Sequence, residues 1–295
     1  MRPFFENNVL QQQPFKPMII VVDTTKAGSA SNTFVLPIIK DTTETVKIYW
    51  GDGTNSTGVN GNNTHVYAAS GIYTVKIESR LFGGIYFNNL GDKAKITKIA
   101  NYGQGVSRLN IGSFYGCSSL LSIAIGNIVS NGAVATNQYR NCTALTTVPL
   151  FNLSSVTNAT YMFLGCTALT TVPLFNLSSV TDAYAMFREC TALTTVPLFD
   201  LSKVTNATNM FYQCTALTTV PLLNLSSCTN ATNMFFGVTL TTQSYSDFLI
   251  NLATLPLKSG VSFHGGNSKY NPAAAIARAY LISNFGWTIT DGGAA

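Results

Sequence analysis

Charged side chains are scarce in this 295-residue sequence. They make up 10% of it, against roughly 25% in an average soluble domain. Asn, Thr, Ser and Gly take their place, so solubility rests on neutral hydrogen-bonding groups, as in many β-rich extracellular and virion proteins. The formal charge is +5, from 17 basic and 12 acidic residues. Between Cys142 and Val238 only Asp182, Arg188, Glu189, Asp200 and Lys203 are charged. No basic stripe exists there to neutralise phosphates, so no nucleic-acid partner is expected. Histidine is equally rare, with His65 and His264 alone. HExxH, G-x-S-x-G, P-loop and GxGxxG patterns are all missing, and the carboxylates are scattered rather than paired. The expectation is a protein that is not an enzyme, with no cofactor and no metal, whose two histidines are structural.

Long apolar runs are missing too. Met18–Val22 is far too short to cross a bilayer. The opening "MRPFFENNVLQQQPFKP" has no uninterrupted apolar core before Pro14 and Pro17, so neither a signal peptide nor a membrane helix is expected. The sequence starts at Met1, which suggests that nothing was cleaved. A surface-type chain without a secretion signal needs another way out, and release within a virus particle is the simplest.

What is present is repetition. "CTALTTVPLFNLSSVTNATYMFLG" (Cys142–Gly165) returns at Cys166, Cys190 and Cys214, each time 24 residues on and without a gap. A degenerate copy, "GSFYGCSSLLSIAIGN" (Gly112–Asn127), precedes them. One unit cannot bury its own apolar residues, but a neighbour carrying the same pattern at the same height can. Identical side chains should then form columns: Leu145, Leu169, Leu193 and Leu217; Phe163, Phe187, Phe211 and Phe235. Asn158, Asp182, Asn206 and Asn230 should make a polar ladder that satisfies turn backbone. "LTTVPL" alternates like a strand, and "VTNATYMFLGC" suggests a capped turn or short helix. Cys117, Cys142, Cys166, Cys190 and Cys214 should form a thiol column. Val238 takes its next place, and Cys228 stands where Val156, Val180 and Val204 stand. Cysteine that exchanges with valine behaves as a small buried hydrophobe, so free thiols are expected. The many N-x-S/T matches follow from the repeat and carry no inference.

Positions that differ between copies are freer of the fold. They give the candidate binding residues Tyr161, Tyr184, Arg188, Tyr212 and Phe236, a patch for sugars or a protein partner. The Phe151, Phe175, Phe199 and Leu223 column, beside the presumed strands, is expected to be core.

Two resemblances join this reading. "WGDGT" (Trp50–Thr54) followed by "HVYAASGIYTVKI" (His65–Ile77) resembles the PKD-type immunoglobulin-like domain. That resemblance implies that Trp50 packs inside a sandwich, Asp52 braces the turn, and Tyr67 and Tyr73 frame the next hairpin. The repeats resemble BspA-type leucine-rich repeats of bacterial surface proteins, through Met162-Phe163, Cys166, Leu169, Pro173 and the "NLSSVT" segments. The whole order resembles adhesin-like proteins and bacteriophage tail or fibre proteins.

The expected architecture is mainly β: an N-terminal arm (1–17), a PKD/Ig-like β-sandwich (18–80), a junction or N-terminal cap (81–111), a leucine-rich-repeat solenoid with short helices (112–240) and a C-terminal cap (241–295). In the cap, Ser244 or Ser246 is expected to start one helix that Pro256 stops. Asn271, Pro272 and Gly286 should bound another. The expected function is a bacteriophage virion component, a fibre, tail or head-decoration protein, presenting the solenoid for host attachment. The alternative is a bacterial cell-surface adhesin. Expected partners are other virion proteins through the arm or sandwich, a host glycan or protein, and a second copy of the chain; membrane insertion is not expected.

Overall fold

The computed structural model describes residues 16–40, 45–79, 83–103, 113–124 and 134–295. The expected N-terminal arm lies outside the described residues except for Lys16 and Pro17. The chain is mainly β, and no helix among the described residues is long and apolar enough to cross a membrane.

Strands β1 (Met18–Asp23), β2 (Thr33–Ile39), β3 (Val46–Tyr49), β4 (Asn55–Gly58), β5 (Gly61–Val66), β6 (Ile72–Glu78), β7 (Gly84–Ile85), β8 (Ile96–Tyr102) and β9 (Ser122–Ile123) build two sheets. One runs β4-β3-β6-β1-β8-β9 and the other β5-β2-β7. Period-2 alternation drives both: Ile20 and Val22, Leu36 and Ile38, Val46 and Ile48, Val75 and Ile77 are buried, and the residues between them are not. The larger sheet does not end near residue 80. β8 adds to β1 antiparallel, and β9, from the first degenerate repeat, adds to β8 in parallel.

Trp50 is buried, and its indole N–H donates to Ser56. Asp52 accepts from the backbone N–H and hydroxyl of Thr54, and its Oδ2 lies 2.7 Å from His65 Nε2. Tyr67 and Tyr73 stack at 3.7 Å and 13°. They flank a crossing from one sheet to the other, since β5 and β6 belong to different sheets, and not the expected hairpin. Burial pushes the Asp52 carboxyl up, but hydrogen bonds from Thr54 and His65 outweigh it and hold it at about 2. Its contribution to stability is therefore whole above its ordinary 3.8 and is lost as pH falls toward about 2. In acid titrations of unfolding, Asp52→Asn is expected to lose less stability than wild type over that window. Equal losses would show that the neighbours do not hold this carboxylate.

The repeats bond to each other through a segment that the alternation did not single out. In "NATYMFLGC" (Asn158–Cys166), the N–H groups of Ala159, Tyr161, Phe163 and Gly165 donate to carbonyls of Asp182, Tyr184, Met186 and Arg188 in the next copy. Those of Met162, Leu164 and Cys166 close local turns onto the residue three back. Every donor in the run from Ala159, except that of Thr160, is thus used by backbone; Thr160 donates to the Asn158 side chain. "LTTVPL" is not a strand and the unit holds no helix. Pro149 has no N–H to give, and the segment's backbone links between copies are only Thr170 to Thr146 and Thr194 to Thr170.

Alternating between neighbour and self forces the backbone into left-handed conformations at two positions per unit. One column is Asn137, Tyr161, Ala185, Asn209 and Asn233, with φ of 50–58°. The other is Asn141, Gly165, Glu189, Gln213 and Gly237, at 57–77°. Glycine and asparagine suit this region; Glu189 at φ 62° does not. Glu189→Gly is expected to stabilise by about 0.5–1 kcal/mol, strain relief exceeding the added freedom of the unfolded chain. A thermal melt that moves downward would refute this.

The stack begins earlier than residue 112. Phe87 and Asn89 donate to Ser113 and Tyr115, and Leu90 to Phe87, which is the bonding of Phe163, Gly165 and Cys166. "YFNNL" (Tyr86–Leu90) is therefore a cryptic first rung inside the expected junction. At the far end, Ala231 and Phe235 donate to Ser262 and His264 of β10 (Ser262–His264), which pairs in parallel with β11 (Thr288–Thr290). No rung is left open there.

Helix α1 (Thr242–Leu252) is capped by Thr241, whose hydroxyl accepts from Ser244 N–H, and not by Ser244 or Ser246. Those serines serve the tertiary structure instead: Ser244 Oγ accepts from Val220 N–H, and Ser246 Oγ from Asn271 N–H. Helix α2 (Pro272–Phe285) has Asn271 at its N-cap, Pro272 at its first position and left-handed Gly286 (φ 63°) at its end, as its sequence requires.

One apolar core runs from Met18 to Trp287 through sheets, stack and cap. Phe163, Phe187, Phe211 and Phe235 stack at 5.6, 5.7 and 5.5 Å. Phe151, Phe175 and Phe199 interleave with them. The cysteines are free and buried; Cys142, Cys166, Cys190 and Cys214 donate through Sγ to Phe114, Tyr139, Phe163 and Phe187 carbonyls at 3.0–3.2 Å. Burial pushes the Cys166 and Cys214 thiols up to about 12. They stay protonated and unreactive.

Candidate functional site

The variable side chains meet along one line of the stack. Tyr115, Arg140, Leu164, Arg188, Tyr212 and Phe236 occupy equivalent places in successive units. Arg140 lies 4.9 Å from both the Tyr115 and the Tyr161 ring. Tyr161 meets Tyr184 edge to face at 5.1 Å and 82°. Arg188 lies 4.5 Å over Tyr212, which stacks on Phe236 at 5.0 Å and 8°, and Phe236 meets His264 at 5.3 Å. All five expected residues therefore sit in two short ribs, Tyr115–Arg140–Tyr161–Tyr184 and Arg188–Tyr212–Phe236–His264. Buried Leu164 and Ala185 lie at the gap between them.

The left-handed column explains how the backbone arranges this. Tyr161 holds a positive φ, and each rung offsets its neighbour by one ladder step, about 4.8 Å. That spacing suits ring-on-ring and guanidinium-on-ring contact. Tyr115, Arg140 and His264 were missed from sequence. The first two could have been found by aligning the degenerate unit onto the repeat; His264 reaches the rib only because β10 closes the stack.

Variability did not mean full exposure. Phe236 is 39% exposed, the other four expected residues are half-buried, and Leu164 and Ala185 are buried. Identity across copies is required by stacking, whereas change is allowed wherever an equally shaped contact can be made. The ring faces also point along the stack, so Tyr212 and Phe236 cover one another. Edges, tyrosine hydroxyls and guanidinium N–H groups remain for a ligand.

Charge on the ribs is modest. Arg188 pairs with Glu189 through Nε and Nη2, both at 3.0 Å. Arg140 donates through Nη1 to Asn137. Burial, then the Tyr184 neighbour, pushes the Tyr161 hydroxyl up, so it remains a neutral donor. Burial pulls His264 down against the opposing pull of Asp291; its Nδ1 accepts from Gly266 N–H, and it is neutral at pH 7. Arg140 Nε, Thr160 Oγ1, Thr208 Oγ1 and Asn209 Oδ1, all at or under the ribs, are buried without a hydrogen-bond partner. Such groups are costly and uncommon. Among the described residues no group of three or more His, Cys, Asp or Glu side chains is placed to hold a metal ion.

Residues 134–248 match the family described as "Mycoplasma protein of unknown function, DUF285". A solved structure, the mouse RP105/MD-1 complex, is similar at 15% identity and a TM-score of 0.25, over 66% of this chain and 38% of that one. A score that low carries no argument. No curated protein matches.

Proposed function

We propose that this is a surface-displayed, non-catalytic attachment protein: a PKD-type sandwich carrying a capped leucine-rich-repeat solenoid whose aromatic and arginine ribs contact a partner. The two sheets, with Trp50 and Asp52 at the turn, support the first assignment. Bonding that recurs every 24 residues, together with the family match over the repeats, supports the second. Display on a bacterial cell surface is favoured over a bacteriophage particle, because the matching family is described from Mycoplasma. The virion reading rests on charge-poor composition, the lack of a recognisable secretion signal in the opening residues, and element order.

The single observation that carries binding is the pair of ribs: partly exposed rings and guanidinium groups, pre-ordered by the stack, at positions the fold leaves free to vary. Pre-ordering lowers the entropy lost on binding. Since Tyr212 and Phe236 cover each other's faces, the ribs suit a protein surface that reads edges and hydroxyls better than a sugar that needs an open face. Tyr212→Glu with Phe236→Glu is expected to reduce binding of purified protein to target cells by about tenfold or more, while a thermal melt still shows a cooperatively folded chain. Undiminished binding by the folded variant would remove the ribs as the contact.

A further inference from the structure

Leu150, Leu174, Leu198 and Leu222 are 61%, 58%, 58% and 50% exposed, although they are identical in all four copies. Every other large apolar column in these copies is buried. The stack leaves half or more of each of these leucines in water, and they form a ridge about 14 Å from first to last, at about 4.8 Å per step. The bordering columns are exposed Thr147, Thr171, Thr195 and Thr219 on one side and Asn152, Asn176, Asp200 and Asn224 on the other. That border holds one charge. We propose that the ridge is a docking surface for a second copy of this chain, two ridges meeting face to face.

Three features select that occupant. An acidic or basic partner would require opposite charges around the ridge, and the border offers Asp200 alone. An anionic membrane would require basic residues beside it, and none borders it. A second ridge, by contrast, matches automatically because its spacing is the same. Run antiparallel, Leu150 meets Leu222 and Leu174 meets Leu198 of the second copy, which sets Asp200 against the unit carrying Asn176. A slip of one repeat either way loses a leucine pair, and one of the slips sets Asp200 against itself. The strip falls short of the roughly 800 Å² per partner of a stable interface, so the association is weak and reversible.

Sedimentation velocity on the whole chain, from micromolar to millimolar concentration, is expected to show a monomer–dimer shift. Leu174→Glu with Leu198→Glu should weaken it about a hundredfold or more with the fold retained, because both side chains are more than half exposed. Leu174→Ser with Leu198→Ser provides the same loss without added charge. Leu150→Cys with Leu222→Cys, about 14 Å apart within one chain and so unable to pair with each other, should give a disulfide-linked dimer under mild oxidation, the native thiols being buried. A wild-type chain that stays monomeric throughout would overturn the proposal. So would a dimer that survives both leucine replacements. Rib variants leave this association intact, so its failure and that of the attachment reading are separable.

Discussion

Replacing Phe187 with aspartate is expected to unfold the repeat stack. Phe187 is fully buried, with Phe163 at 5.6 Å, Phe211 at 5.7 Å and Phe199 at 6.0 Å. Losing the ring alone costs about 3–5 kcal/mol. An unpaired carboxylate among stacked rings adds several more, or is protonated at similar expense. Together these match the whole stability of a typical domain, about 5–15 kcal/mol. Since each unit contacts only its neighbours, a failure in the Phe187 rung separates the rungs on either side. Phe187→Leu should cost about 1–2 kcal/mol by comparison, as Leu223 already ends the adjacent phenylalanine column. Thiol labelling gives the measurement: Cys166, Cys190 and Cys214 should become reactive in Phe187→Asp and stay protected in Phe187→Leu. Protected thiols in the aspartate variant would mean that the column does not hold the stack.

Asp92→Ala is expected to cost about 3–5 kcal/mol, the penalty for breaking a buried ion pair on one side. Lys95 is fully buried and donates from Nζ to the carbonyls of Ser29, Ala30 and Thr33 at 2.7–3.0 Å, and to Ser29 Oγ. Asp92, 3.7 Å from that ammonium, accepts from the N–H groups of Ser29 and Val35 and from the Ser29 hydroxyl. The pair thus fastens the β1–β2 loop to the turn that precedes β8. Without the carboxylate, a buried cation and two backbone donors lose their partner. Urea unfolding should show a lower midpoint with an unchanged slope. Asp92→Leu combined with Lys95→Met should recover part of the loss, because no lone charge remains. A single mutant as stable as wild type would mean that water enters the site.

Much of this was legible. The 24-residue period requires stacked neighbours, so the leucine, phenylalanine and thiol columns follow from it. Exchange of cysteine with valine at Cys228 and Val238 marked the thiols as buried and free. Asn271, Pro272 and Gly286 bound α2 because capping is local chemistry. Misreadings arose where a distant contact decided. Alternation made "LTTVPL" look like a strand, while the donors that reach the next copy belong to "NATYMFLGC". The burial of Lys95 had no sequence signal, since nothing in "GDKAK" places three carbonyls around it. Phe87 lay in a supposed junction because its period is not 24.

Sequence alone therefore determined that copies must stack and which side chains line the interior, since periodic burial is written in the order of residues. Only the tertiary structure decided where the stack begins, which backbone positions turn left-handed, and how the varying rings align into ribs. Those outcomes depend on hydrogen bonds and contacts between residues far apart in the chain, whose partners a linear pattern does not name.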